Sequence, residues 1–403
     1  MQIKHLTLAS FRNHNSTEVV FGPGVNLFAG DNGQGKTNLV EAVHYLATLS
    51  SHRTAGYLPL IKWDAETAIV RAKVEHAGRE VLLDVELSKT TKNRVAINKS
   101  SSNRARDILG YVQTVTFAPE DLDIVKKDPT NRRKFLDDLL IQLTPRYAGV
   151  FADYERVLKQ RNALLKSARA NSVAGSALST LDAWDAQLVS LGVQIIAARG
   201  NLMNRLIPLV TAAYQEIAVA RNVPELRLKS SILAKGIPSF GDEDENEDLE
   251  YLEDFDVDSL TQLFEARVKE LRSKEMERGL TLCGPQRDDL VLLLNGMPAK
   301  TYASHGEGWS YALALRLASR ELLREDGSFG DPILILDDVF AELDAKRRER
   351  LADLVVDNEQ VLITAAVAED VPERLKAKMF HVNQGVVTEG VVPDGVVPEG
   401  GDQ

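Results

Sequence analysis

Gly30-Asp31-Asn32-Gly33-Gln34-Gly35-Lys36-Thr37 has the spacing G-x-x-x-x-G-K-[ST]. Residues of these types in this order hold the oxygens of a polyphosphate. Gly33 and Gly35 let the backbone curl so that successive N–H groups face an anion. The N-terminus of a following helix adds partial positive charge. Lys36 reaches the outer phosphates as a point charge, and the Thr37 hydroxyl is a ligand for Mg²⁺. The context agrees. Val25-Asn26-Leu27-Phe28-Ala29 reads as a short strand before the loop, and Leu39, Val40, Val43, Leu46 and Ala47 follow it at helical spacing.

A second motif, Ile333-Leu334-Ile335-Leu336-Asp337-Asp338, is an apolar run ending in two carboxylates. A continuous apolar run is the pattern of a buried central strand. An Asp at such a strand end holds the Mg²⁺ of a bound nucleotide, which assigns Asp337 to the metal. Asp338 stands one residue further on, where a general base orients and deprotonates an attacking water. Most of the chain separates the two motifs, far more than a compact phosphoryl-transfer domain needs, so a large element is inserted between them.

The elements that must position these residues can be read in outline. Residues 1–30 are β-rich, with Ile3, Leu6, Leu8 and Phe11 in loose alternation, and residues 67–98 read as a meander. From about Asn131 to Leu233 the pattern is helical and long, with a polar hairpin at Ala168–Ser179 and a kink expected at Pro208. A helix over Ser259–Glu277, a strand over Leu290–Leu294 and a helix over Gly308–Glu325 lead to the second motif. Eleven acids and no Lys or Arg lie between Asp242 and Asp258, which equals the net charge of −11. The acidity is therefore a local insert, read as a solvated loop, on a body of balanced charge. One cysteine, Cys283, excludes an intramolecular disulfide and a cysteine-based zinc cluster. The first residues lack the apolar core of a signal peptide, and no run of about 18 apolar residues spans a membrane.

Tyr302-Ala303-Ser304-His305-Gly306-Glu307-Gly308, before a helix with Tyr311, Leu313, Leu315 and Leu317, resembles the S-x-G-[EQ] signature loop of ABC-type ATPases. In that family the loop offers a serine hydroxyl and backbone N–H groups to the γ-phosphate held by the other subunit. Over roughly residues 1–385 the chain resembles the RecF branch of these SMC-like ATPases. The resemblance rests on Phe11-Arg12-Asn13-His14, Ser51-His52-Arg53-Thr54, Phe117-Ala118-Pro119-Glu120-Asp121-Leu122, Arg132-Arg133-Lys134-Phe135-Leu136-Asp137, Gly284-Pro285-Gln286-Arg287-Asp288-Asp289 and Asp337-Asp338-Val339-Phe340-Ala341-Glu342-Leu343-Asp344. Gln286 stands where that family usually has His.

The resemblance implies an α/β fold: an ABC-type P-loop ATPase head, lobe I, with an inserted mainly helical lobe II carrying a short helical hairpin. The expected division is 1–125 for the first part of lobe I, 126–277 for lobe II with the acidic insert at about 240–258, 278–385 for the rest of lobe I, and 386–403 as a disordered tail. ATP and Mg²⁺ are the implied cofactors. Lys36 and Asp338 are the catalytic assignments, and Thr37 and Asp337 bind metal. Gly30, Asp31, Asn32, Gly33, Gln34, Gly35, Lys36, Thr37, Arg12, Asn13, Ser304 and Gly306 bind nucleotide, the last two in trans. Asp344 is the implied dimer-facing aspartate. Gln113 is the nearest candidate for the Q-loop glutamine, and Thr364 is read as a phosphate contact in place of the histidine of transporter ATPases.

The implied activity is that of a weak, DNA-dependent ATPase that dimerises on ATP. It would bind single- or double-stranded, gapped or junction DNA without sequence preference and support replication, recombinational repair and the SOS response. RecR- and RecO-type mediators are the implied partners, with no membrane, in the bacterial cytoplasm and at the nucleoid. Basic residues at Lys89, Lys92, Arg94, Lys99, Arg104 and Arg106, at Lys126, Lys127, Arg132, Arg133 and Lys134, and at Arg156, Lys159, Arg161, Lys166 and Arg169 are the candidates for phosphate contacts. A transporter motor would carry the missing histidine. A Rad50- or SMC-like tether would need hundreds of coiled-coil residues between Thr37 and Ser304. A small-molecule kinase would have no use for the signature loop.

Overall fold

Ile3, Leu6, Leu8 and Phe11 are unevenly spaced for a strand, yet all four are buried on β1 (Gln2–Phe11). A bulge between Ile3 and His5 and a left-handed backbone at Ser10, φ 50°, break the alternation and return the apolar side chains to one face. The protein is described by a computed structural model over residues 1–54, 56–102, 104–171, 176–218, 222–234, 250–326 and 330–390. These residues form two units, Met1–Glu120 with Leu323 onward, and Asp121–Leu322.

The first unit has two six-stranded sheets. In one, β1 pairs antiparallel with β2 (His14–Val20) and β4 (Thr67–His76), and the meander continues through β5 (Arg79–Ser88), β6 (Arg94–Ile97) and β7 (Ser100–Ser102). The other is built on parallel strands in the order β15 (Lys378–Asn383), β3 (Gly24–Ala29), β14 (Gln360–Ala365), β13 (Ile333–Asp337) and β8 (Thr114–Phe117), with β16 (Val386–Glu389) antiparallel at its edge. Helices α1 (Lys36–Thr48) and α9 (Ala345–Val355) belong to this unit. Its core joins both sheets to α1 through residues such as Leu6, Leu8, Phe28, Leu39, Val43, Ile335 and Leu362.

Two expectations change here. Val386–Glu389, read as part of a disordered tail, is a strand, because Val387 and its neighbours pair with β15. The remaining Val-Val repeats, 391–403, lie outside the described residues. Gln113 precedes β8, at the end of the parallel sheet opposite the phosphate loop. Its carbonyl accepts from Ile333 N, so it is no Q-loop residue of this site.

The second unit holds α2 (Leu122–Lys126), α3 (Pro129–Leu143), α4 (Tyr147–Asn171), α5 (Ser176–Ile217), α6 (Val257–Arg278), α7 (Ala299–Tyr302) and α8 (His305–Glu325). Its four-stranded sheet runs β10 (Tyr251–Leu252), β9 (Pro224–Lys229), β11 (Asp289–Leu294), β12 (Met297–Pro298). α4 and α5 form the long hairpin, and α5 continues unbroken through Pro208. The unit ends at Leu322, not near residue 277, because β11 pairs with β9 over Asp289–Leu294 and so carries the signature segment with it. Of the acidic insert, 242–249 lie outside the described residues. Tyr251–Leu252 form β10, and the Asp256 carboxylate caps α6 by accepting from Ser259 N at 2.9 Å.

Several basic residues read as DNA contacts are consumed inside this unit. Arg161 is fully buried and paired with Asp185 and the equally buried Glu275. Arg132 makes a two-pronged pair with Asp289, at 2.7 and 2.9 Å, and Arg133 donates to the Asp288 carbonyl at 2.8 Å. Arg199 similarly holds Asp137 at 2.8 and 2.7 Å and donates to the Pro285 carbonyl. Buried charges need such partners, so the two motifs around Arg132 and Asp288 interlock instead of facing a ligand. Arg156 and Lys159 are exposed but paired with Asp153 and Glu155 on their own helix. Among the described residues, no helix is long and apolar enough to cross a membrane.

Candidate nucleotide site

The loop after β3 ends at Gly35, the N-cap of α1, with φ 114°. Only glycine takes this conformation readily, and a Cβ there would lie 2.7 Å from Asn13 Oδ1. Gly33, φ 82°, has nothing within 4 Å of its would-be Cβ, so that part of the loop stays open to a ligand. Lys36 is buried, and its Nζ donates to the carbonyls of Gly30 at 2.7 Å and Asp31 at 3.0 Å. The ammonium is thus folded back across the cradle the loop forms.

The strand order explains how Asp337 reaches this loop. β14 lies between β3 and β13, and Thr364 on β14 is level with both Phe28 and Asp337. Ligands bind at the carboxyl ends of parallel strands, where all of these residues sit. Thr37 Oγ1 donates to Asp337 Oδ1 at 2.9 Å, and Thr364 Oγ1 donates to the same oxygen at 2.6 Å. Thr364 is therefore committed to holding Asp337, not to a phosphate. His52 Nε2 lies 3.5 Å from Asp337 Oδ2. Burial pushes the Asp337 carboxyl up, but His52, Thr364 and Thr37 outweigh it and hold the group below the usual carboxylate range. An anionic Asp337 beside the Thr37 hydroxyl supplies the hard oxygen donors that Mg²⁺ takes.

Asp338 follows in a left-handed backbone, φ 50°. Its N–H donates to the Thr364 hydroxyl at 3.0 Å and carbonyl at 3.2 Å. Burial first, and then the Asp337 charge, push its carboxyl above the usual range, while Lys36 opposes them. It is thus a stronger proton acceptor than an ordinary surface carboxylate.

Arg12 and Asn13 reach the site differently. Asn13 Nδ2 donates to the Gln34 carbonyl at 3.0 Å and its Oδ1 accepts from Asn38 at 2.8 Å, so Asn13 braces the loop from outside. The Arg12 guanidinium is held by buried Glu41, at 2.8 and 2.7 Å, and by the Pro59 carbonyl at 3.1 Å. It anchors the segment after β1 and is not free to approach a phosphate in this arrangement.

Three supports lie outside the residues that the motifs assign to the nucleotide. His52 is one. His14 is the second: fully buried, it has Nε2 3.0 Å from the Gly35 carbonyl, and burial lowers its pKa against that bond and the one to Gly385. The third is the β15–β16 turn. Gly385 N donates to the Gln34 carbonyl at 2.8 Å and Gln384 N to Gln34 Oε1 at 2.7 Å. Gly385 takes φ 79°, and a Cβ there would meet the Asn13 carbonyl oxygen at 2.7 Å. Gly385→Ala is expected to lower unfolding stability by about 2 kcal/mol or more and to weaken nucleotide binding with it. Urea melts with and without ATP measure both effects.

In the second unit, Ser304 caps α8. Ser304 N and Oγ both donate to Glu307 Oε2, at 2.9 and 2.7 Å, and Glu307 N donates back to Ser304 Oγ at 3.3 Å. This reciprocal cap fixes the exposed signature serine. The bonds from Ser304 hold the Glu307 carboxyl below its usual range. Lys126, another supposed DNA contact, instead donates to the carbonyls of Ala299 and Lys300 at 3.2 Å each, and to that of Ala303, which positions the loop from behind. Gly306 is partly exposed at the start of α8, so both signature residues are open to an incoming group. Asp344 is exposed and caps α9, accepting from Arg347 N at 3.0 Å.

Residues 2–388 match the family described as the RecF/RecN/SMC N terminal domain. The chain is 50% identical over 387 residues to a DNA replication and repair protein RecF of Clavibacter sepedonicus, covering 96% of this chain and 95% of that one. It is 50% identical over 390 residues to the RecF of Streptomyces avermitilis, covering 96% and 99%. The solved structure of the recombination mediator protein RecF-ATP in the RecFOR pathway superposes with a TM-score of 0.81 at 28% identity, over 96% of this chain and 99% of that one. An SMC head bound to the winged-helix domain of ScpA shares the fold, with a TM-score of 0.51 at 15% identity over 97% and 98%. With a shared sequence along nearly its whole length and the ATPase-head fold, the chain belongs to the RecF family.

Proposed function

We propose that this chain is an ATP-dependent, DNA-binding recombination and repair mediator that dimerises on ATP and hydrolyses it slowly. The observation that carries the reading is the constellation at the carboxyl ends of β3 and β13, with Lys36 across the glycine loop and Thr37 2.9 Å from Asp337. The family membership supports the DNA substrate, since its relatives are replication and repair proteins.

The loop N–H groups and Lys36 bind the triphosphate, and Thr37 with Asp337 holds its Mg²⁺. An Mg²⁺ held there would neutralise the charge that develops on the phosphate oxygens as the terminal phosphoryl group is transferred. Lys36 exchanges the Gly30 and Asp31 carbonyls for phosphate oxygens. Thr364 and His52 keep Asp337 anionic and in place. Asp338 accepts the proton of the attacking water. As an aspartate it is one methylene shorter than the glutamate used by transporter ATPases, which favours slow turnover. Ser304 and Gly306 of a second copy cap the γ-phosphate, so that ATP contributes to the dimer interface and hydrolysis releases it.

DNA contacts fall to the cations that remain exposed. Lys92, Arg94, Lys99 and Arg104 stand exposed on and beside β6 and β7. Lys99, with φ 66° at the tip of the hairpin between those strands, is exposed. Phosphate contacts of this kind give affinity without base readout. Steady-state turnover is expected to be slow and to rise on addition of duplex DNA. The DNA association constant is expected to fall steeply and linearly with salt on logarithmic axes. Turnover indifferent to DNA, together with a flat salt response, would remove the DNA half of the reading.

A further inference from the structure

Asn222 stands between the end of α5 and the start of β9, within the second unit. Its Nδ2 donates at 2.6 Å to Glu307 Oε1, on the carboxylate whose other oxygen holds Ser304. An ionised carboxylate only accepts, so this bond orients the Asn222 amide. Its Oδ1 then accepts from Asn295 Nδ2 at 2.9 Å. Asn295 opens the two-residue turn between β11 and β12, with φ 53° before Gly296 at φ 76°. Two left-handed residues of these types suit a tight hairpin. Asn295 is also bonded twice to Val223, its N–H donating to the carbonyl at 2.9 Å and its Oδ1 accepting from Val223 N at 2.8 Å. Asn295 and Asn222 thus each have one amide orientation that satisfies the series ending at Ser304.

A second fastening lies one turn along α8. Tyr311 is fully buried there, and its hydroxyl donates to the Glu225 carbonyl at the start of β9, at 2.7 Å. Its ring meets that of Tyr214 on α5 edge-on, with centroids 6.0 Å apart. The end of α5 and the start of β9 therefore grip the signature helix at Glu307 and at Tyr311. Only the first of these grips reaches the signature loop itself. To cap a phosphate, the Ser304 hydroxyl must turn its proton from Glu307 Oε2 toward the incoming oxygen. Ser304 N continues to donate to that carboxylate oxygen, at 2.9 Å. The serine keeps its place through this exchange only if Glu307 keeps its own, and Asn222 holds the other carboxylate oxygen.

We propose that Asn222 is a positioning residue for the γ-phosphate cap: it fixes the Glu307 carboxylate and, through it, the Ser304 hydroxyl that meets the nucleotide of a second copy. The inference rests on the reading of Ser304 as that cap and adds to it the part of the fold that aims the serine, the junction of α5 with β9.

The test is ATP-induced dimerisation of the full chain by sedimentation velocity, with mant-ATP titration and a thermal melt of each preparation. The variants are Asn222→Ala and Asn222→Asp, and Asn222→Ala is also combined with Ser304→Ala. Freeing one side chain at each of two sites predicts that Asn222→Ala weakens the dimer about tenfold, with ATP affinity of the monomer within about twofold. Asn222→Asp keeps the shape but sets two carboxylates against each other, so it should weaken the dimer further. In the Ser304→Ala background, Asn222→Ala should change the dimer by less than about twofold, because the hydroxyl it acts through is gone. Equal weakening in both backgrounds would mean that Asn222 props the unit and does not aim the serine, which overturns the proposal. Dimers as tight as the native ones in both Asn222 variants, with melts that show each to be folded, would also overturn it. If Ser304→Ala alone leaves dimerisation unaltered, the reading of Ser304 as the cap has itself failed, and the proposal falls with it.

Discussion

Asp338→Asn is expected to lower ATP turnover by about 10²- to 10³-fold while leaving ATP affinity within about twofold. The substitution keeps the shape of the side chain and removes only its capacity to take a proton. Asparagine also tolerates the left-handed backbone that position 338 requires, φ 50°. The bonds from its N–H to the Thr364 hydroxyl and carbonyl should therefore persist. Neither Thr37 nor Asp337 is touched, so the metal ligands remain. Single-turnover hydrolysis and mant-ATP titration on the same preparation separate chemistry from binding. Turnover within about threefold of the native chain would show that the proton goes elsewhere.

Ser304→Arg is expected to abolish ATP-induced dimers and to leave ATP binding by the monomer intact. A two-fold dimer uses each signature loop once, so the substitution acts twice. At about 1.5 kcal/mol for a hydrogen bond to a charged group, losing the hydroxyl at both sites costs about 3 kcal/mol. That is roughly 100-fold in the dimer dissociation constant before the bulk of the arginine is counted. The same change removes the Ser304 cap of α8, worth about 1 kcal/mol of stability, so a thermal melt must accompany the assay. Sedimentation velocity in an Asp338→Asn background, where ATP persists, gives the clearest readout. Unaltered dimerisation would refute capping in trans.

What could be read from the sequence was what local chemistry dictates. The glycine loop, the apolar strand ending in Asp337 and Asp338, and the long helical insertion each announce themselves through spacing and composition. What escaped was whatever long-range pairing decides. The tail around Gly385 reads as a low-complexity repeat, yet its backbone holds Gln34 from across the sheet. The boundary of the second unit is set by β11 joining β9, and no residue near 277 records it. His14 and His52 stand in two of the segments that carry the resemblance, but their roles exist only once β2 and the segment after α1 lie against the loop. Charge was the most misleading guide. Lysines and arginines look alike in sequence, but Arg132, Arg133, Arg161 and Lys126 are spent on internal carboxylates and carbonyls. Lys92, Arg94, Lys99 and Arg104 remain on the surface.

ATP occupancy is proposed to gate DNA binding. Fluorescence anisotropy of labelled duplex and gapped DNA, titrated with the chain in Mg-ATP and then in Mg-ADP, tests it directly. Tight, salt-sensitive binding is expected with ATP and weak binding with ADP, with the ATP-dependent part lost in Ser304→Arg. Equal binding in both nucleotide states, or none in either, would contradict it and leave an ATPase whose cycle is coupled to some partner other than DNA.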